Sequence, residues 1–395
     1  MRMRETPEPR GEGRGHGRLA RAIALWTLAL AMAASCVPLL LWLCGNVGVT
    51  PPQAAEKGRA ELGPAYDMYV NNLTASALDG LLTVPKVYWL PEDLVVAPAP
   101  DPDCFGASEN AEDAAEVLAL AREALDMDGT FFSPERPLRP GSTVRWYLDD
   151  TIFSICWKQV IHNAVFSFAE IKIAHPSQFR RYLAENTFAS PLQFKPSEMA
   201  RTVNAVTAMS ADFYKYRLMG TVVYQRQLYR FEGQSIDTCF INGSGELLFV
   251  PRGEIVTEEE ALKFIEDNDV LFSLSFGPIL IVDGELTVPQ DYLLGQINDY
   301  YPRACICELG PCHYLLVAAN TEQGYPTVLN LRQFAEEVQA LGIQKAYTLD
   351  GGQTAAIYTD GEVFNSVDYG GERTVSDIIY FATAIPDAES YTHEQ

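Results

Sequence analysis

Residues 330–361 read NLRQFAEEVQALGIQKAYTLDGGQTAAIYTDG. Asn330 can cap a helix, with Gln333 in the reciprocal position three residues on. Leu331, Phe334, Ala335, Val338 and Leu341 then recur at helical spacing, and Gly342 stops the helix. Ile343 to Leu349 reads as a strand that ends in Asp350-Gly351-Gly352-Gln353-Thr354, and a second strand, Ala355 to Tyr358, turns at Asp360-Gly361. A helix therefore feeds a strand, and a polar, glycine-rich loop lies at that strand's end.

Upstream of this unit the texture is that of hairpins. Gly220–Phe231 turns at Gln225-Arg226-Gln227, Ile236–Val250 at Asn242 to Gly245, Leu271–Val288 at Asp283-Gly284, and Arg303–Ala319 near Gly310-Pro311. Thr257 and Glu260 form a capping box for a helix ending near Asn268. Val144 to Trp157 and Ala164 to Ile173 read as strands, and His175 to Asn186 as a short helix. Phe276-Gly277-Pro278 sits inside a strand pattern, where glycine and proline imply a bulge or an irregular crossing. The expected fold is mixed α/β (α+β), with mostly antiparallel, hairpin-linked sheets and few helices.

Towards the N-terminus, Asn110 opens a helix whose apolar face is Val117, Leu118, Ala121 and Leu125, closed by Gly129. Before it the chain has no clear period. Ala22 to Gly45 is an uncharged run of 24 residues, long enough to cross a bilayer. Six Arg against three Glu precede it, which argues for an N-terminus inside and a body outside the cytoplasm. A cleaved signal peptide is the rival, but its apolar core would be only about 7–15 residues. The expected organisation is thus a basic tail over 1–21, an anchor over 22–45, a linker over 46–64, an accessory region over 65–143 and a main domain over 144–388.

The net charge is −23, so nucleic acid is a poor partner for this body. There is no Cys-x-x-Cys pair and no His-Glu-x-x-His, which leaves a structural zinc site without support. Cys307 and Cys312 flank a hairpin turn, so a cross-strand disulfide and a set of unpaired apolar fillers are both open.

Three places could carry chemistry. The paired glycines of Asp350 to Thr354 allow a sharp turn that presents amide N–H groups, and Asp350 could serve as acid, base or cation ligand. A tight turn with a capping aspartate reads the same residues equally well. Arg303, after Tyr301-Pro302, could fork onto a phosphate or make an ordinary ion pair. Asp212, in Ser210-Ala211-Asp212-Phe213-Tyr214, stands at a possible strand end, where a buried turn aspartate is the plain alternative.

Taken in order, these pieces resemble the phosphodiester glycosidase family, which takes in many bacterial envelope proteins. Ser210 to Tyr214, Phe276-Gly277-Pro278 with Asp283-Gly284, Pro302-Arg303-Ala304, Gly324-Tyr325, Leu331 to Ala335, Leu341-Gly342, Leu349 to Thr354 and the tail Arg373 to Ala382 carry the likeness over about residues 164–385. Ser210 stands where the family usually has Asn, and Ala319-Asn320-Thr321 where many members have Asp-Gly-Arg. The resemblance implies a hydrolase of sugar-1-phosphodiester (phosphoglycan) linkages, acting on a phosphate-linked glycan of the cell envelope. Arg303 would then take the phosphate, Asp350 act as base, nucleophile or cation ligand, and Asp212 supply the second carboxylate. Gly351, Gly352, Gln353, Thr354, Gly277 and Ser210 would line the substrate. A divalent cation is compatible with this set, though no motif requires one. The alternative is a non-catalytic glycan-binding or structural envelope protein on the same fold.

Overall fold

The computed structural model describes residues 88–384, apart from 234 and 293–295, and the expected anchor and linker lie outside these residues. Among the described residues no helix is long and apolar enough to cross a membrane.

Among the described residues four α-helices, Ala115–Ala124, Pro196–Thr202, Glu258–Asp267 and Leu331–Ala340, accompany a body built mainly of antiparallel strands. The largest sheet has nine strands. In spatial order they are Phe105–Ser108, Val144–Leu148, Ile152–Ile161, Ala164–Ile173, His313–Asn320, Arg303–Gly310, Lys345–Leu349, Ile279–Val282 and Glu285–Leu286. The strand at one edge thus comes from the region before residue 144 and pairs with Val144–Leu148. A five-stranded sheet (Glu362–Val363, Ile357–Thr359, Thr207–Ser210, Asp377–Phe381, Phe179–Leu183) and a three-stranded one (Leu247–Val250, Thr238–Asn242, Val270–Leu274) complete the frame, with a two-stranded hairpin, Val222–Tyr224 and Gln227–Arg230.

The nine-stranded sheet is covered on both faces, and the strand periodicity decides which residue goes where. Phe166 and Phe168 point to one side, into a core with Trp157, Leu118, Ala121, Phe334 and Val338 from the two covering helices. Ala169, Ile171 and Ile173 point to the other, towards Phe179, Met209, Leu274, Ile379 and Phe381 of the smaller sheets. Burial on both faces explains why these strands read as nearly continuous apolar runs rather than alternating ones. The helix Leu331–Ala340 has its Asn330 capping box and ends before Gly342, whose φ is +88°.

Three expectations need correction. The residues expected as a helix over 175–186 instead form a short 3-10 turn, the strand Phe179–Leu183 and a second 3-10 turn. Tertiary pairing decides this: Phe179–Leu183 lies in register with Asp377–Phe381, a partner far off in sequence. The strand expected over 144–157 is broken at 149–151, where Asp149 accepts the amides of Thr151 and Ile152 and turns the chain into a hairpin. The hairpin expected over 271–288 does turn at Asp283-Gly284, but Phe276-Gly277-Pro278 carries the chain from the three-stranded sheet to the nine-stranded one, an irregular crossing. All six cysteines among the described residues are free, with Cys305 and Cys307 packed on one face and Cys312 half-buried at the turn.

Candidate active site

The site forms where the strand ends of the nine-stranded sheet meet the five-stranded sheet. Ala304 is paired with Leu349, so Arg303 and Asp350, one step beyond, leave the sheet at the same end. The Asp350 amide donates to the Ala211 carbonyl at 3.0 Å, which brings the Ser210–Tyr214 turn to the same place. Gly352 donates to the Pro302 carbonyl at 2.8 Å, and a Cβ on Gly351 would lie 2.4 Å from that same oxygen. Only glycine fits position 351, for reasons of space. The motifs that the sequence separates by more than a hundred residues therefore converge.

Asp350 is the carboxylate at the head of this loop. It is 8% exposed, and its Oδ2 accepts from Arg373 Nη2 at 2.6 Å. Burial holds its carboxyl above the ordinary carboxylate range, while Arg373, the Thr354 hydroxyl, Arg217 and the Gly351 amide oppose that rise. Two arginines flank it. Arg217 is turned over the Phe276 ring, 3.8 Å from its centroid, and donates to the Phe276 carbonyl. Burial lowers its pKa, and Asp350 is the largest opposing influence. Arg373 lies 4.9 Å over the Phe213 ring, and its buried Nε has no partner among the described residues. Phe213 itself sits at φ +63°. A non-glycine residue there costs about 1 kcal/mol or more. Tyr301 closes the floor beside Gly351.

The expected site residues take different places. Gly351, Gly352, Gln353 and Thr354 form the loop beside Asp350, with Thr354 Oγ1 donating to the Gly351 carbonyl at 2.8 Å. Arg303 is at the same sheet end, but its guanidinium is committed to backbone. It donates to the carbonyls of Gln296, Asp299 and Leu329 and stacks 3.8 Å over Tyr301, so it holds the 296–303 loop. Asp212 is fully buried behind the site. It accepts from Arg181 at 2.6 Å, from the Ser275 amide at 2.8 Å and from the Tyr214 amide at 3.0 Å. Arg181 also binds Asp377 at 2.6 Å, and burial pushes the Asp377 carboxyl up to about 7. The Gly277 amide, with that of Phe276, donates to Tyr347 Oη at 2.9 Å, so it braces the crossing. Ser210 is buried in its strand against Ile378. Asn320 and Thr321, where Asp-Gly-Arg was expected, anchor the 365–371 loop instead: Asn320 Oδ1 accepts from Asn365 at 2.7 Å, and Thr321 donates twice to Asp368.

Arg217 and Arg373 are absent from the residues expected at the site. A lone arginine in Lys215-Tyr216-Arg217 carries no pattern. Arg373 opens the closing tail of the motif series, which was its only signal. Among the described residues no group of three or more His, Cys, Asp or Glu stands together as a metal site. A desolvated carboxylate between two arginines, with a glycine loop beside it, can bind an anion and move a proton or attack an electrophilic carbon.

Residues 203–382 match the model of the phosphodiester glycosidase family, the one the ordered motifs resemble. No curated protein matches the chain by sequence. Among solved structures, the catalytic domain of zebrafish N-acetylglucosamine-1-phosphodiester alpha-N-acetylglucosaminidase, auto-inhibited by its pro-peptide, is similar at 14% identity and a TM-score of 0.45, covering 58% of this chain and 82% of that one. A hypothetical protein from Synechocystis is similar at 16% identity and a TM-score of 0.43, covering 63% of this chain and 64% of that one.

Proposed function

We propose that this protein is a membrane-anchored, extracytoplasmic hydrolase that cleaves sugar-1-phosphodiester linkages of an envelope glycan at the glycosidic C–O bond. Residues 22–45 would hold it in the membrane with the N-terminus inside. The observation that carries the reading is the desolvated Asp350 set between Arg217 and Arg373. The two guanidiniums suit a phosphodiester. Asp350 then works at the anomeric carbon, either activating water or attacking directly. The leaving phosphomonoester is a stable anion, so a strong general acid is dispensable. Tyr301, half-buried beside Gly351, offers an apolar ring edge for the sugar.

The test uses the full chain with UDP-N-acetylglucosamine and other sugar-1-phosphodiesters in water carrying heavy oxygen. Free sugar bearing the label, lost in Asp350→Asn, is expected. Label in the phosphate instead would mean P–O cleavage and overturn the assignment. The second reading, glycan binding without chemistry, rests on the anchoring use of Asn320 and Thr321, and folded protein that releases no sugar from any substrate would favour it.

A further inference from the structure

Two exposed tyrosines stand outside the ring of residues that surrounds Asp350. Tyr369 is 74% exposed and Tyr216 is 52% exposed. Burial does not explain either of them, yet both are tied to the active-site loops. Gln353, of the loop that follows Asp350, points its Nε2 to the carbonyls of Tyr369 and Gly371 at 3.4 Å. The turn carrying Tyr369 is pinned a second time where Asp368 takes the amide and hydroxyl of Thr321. Tyr369 itself holds φ +61° at the head of a turn in which Gly370 and Gly371 are also at positive φ, +87° and +135°. The doubly anchored turn thus presents the Tyr369 ring to solvent. Tyr216 stacks on Phe213, 4.6 Å between centroids, and Phe213 lies under Arg373. Gln193 ties it down from the other side, donating to the Tyr216 hydroxyl and accepting from Thr374, the neighbour of Arg373.

Resting on the hydrolase reading above, we propose that Tyr216 and Tyr369 are stacking platforms for the sugars next to the cleaved linkage, so that the substrate is an oligomeric or polymeric phosphoglycan rather than a single activated sugar. Tyr216 is linked to Asp350 through Phe213 and Arg373, and Tyr369 to the loop after Asp350 through Gln353. Tyrosine is well suited to such a platform, because its face takes the C–H side of a sugar, its hydroxyl takes a sugar oxygen, and it has little rotamer entropy to lose.

The experiment compares the full chain with Tyr216→Ala, Tyr369→Ala and Tyr369→Phe on a polymer of glycosyl-1-phosphate repeats and on UDP-N-acetylglucosamine. Each alanine variant should lower kcat/KM on the polymer by about tenfold more than on the small substrate, mainly through KM, and Tyr369→Phe should restore most of it. Equal losses on both substrates, or no loss on the polymer, would overturn the proposal. Retardation of the same proteins in gels containing the polymer separates binding from chemistry. If no sugar is released but wild type is retarded and the alanine variants run free, the platforms stand and the hydrolase reading falls. If wild type is not retarded, the platforms fall.

Discussion

Replacing Gly351 by alanine tests the convergence of the motifs through a single atom. Gly351 has φ −109° and ψ −158°, a conformation open to any residue, so backbone preference is not disturbed. The added Cβ would stand 2.4 Å from the Pro302 carbonyl oxygen, and that oxygen is backbone in the turn before Arg303. Ordinary contact needs about 1 Å more, so one of the two loops must move. Moving it strains or breaks the Gly352 to Pro302 hydrogen bond, 2.8 Å long as it stands. Overpacking of this kind costs about 1–3 kcal/mol and the bond about 1 more. A destabilisation of about 2–4 kcal/mol in a body of this size lowers Tm by roughly 3–6 °C. Asp350 is the next residue, so the displacement reaches the reacting group, and a shift of about 1 Å is worth about a hundredfold in rate. Differential scanning calorimetry and sugar release on the same preparation read both effects. Gly351→Ala with wild-type Tm and wild-type kcat would refute the packing of these two loops and with it the site.

The arginines should separate by role. Arg217→Ala and Arg373→Ala are each expected to raise KM for a phosphodiester about 10–100-fold with little loss of stability, the loss of charged hydrogen bonds to the ligand. Arg303→Ala should instead lower Tm, because three carbonyls lose their donor; steady-state kinetics beside thermal melts would expose a reversal. The buried pair of carboxylates on Arg181 gives a pH prediction. The folded-state pKa of Asp377, at about 7, is above its unfolded value of about 4. Folded protein therefore binds the extra proton between these values, and this group's contribution to stability falls as pH rises from about 4 to about 7. In Asp377→Asn that part of the decline should vanish, and melting curves across the window with unchanged slope would count against it.

The hairpins with Asn-Gly and Asp-Gly turns, the two helices capped by Thr257 and Asn330 and the loop at Asp350 were legible because each is specified by neighbours in sequence. The failures share one cause. Phe179-Arg180-Arg181-Tyr182-Leu183 has no local reason to be a strand; it is one because Asp377–Phe381 offers it a partner. For Arg303 and Asp212 the sequence shows charge in a motif but not its partners, which are backbone carbonyls and an arginine supplied from elsewhere. Arg217 and Arg373 could not be found from spacing, since only the fold brings them beside Asp350.

The five-stranded sheet also sets a timetable. Arg181 and Asp377 are separated by 196 residues, and the two strands that carry them are neighbours in that sheet. A chain delivered N-terminus first must hold Phe179–Leu183 and Thr207–Ser210 without the strand that lies between them until Asp377–Phe381 has emerged. Until then Arg181 and Asp212 lack the third member of their charge cluster. Closure of the site accordingly waits on a contact of long sequence separation, and the strand edges stay exposed until it forms.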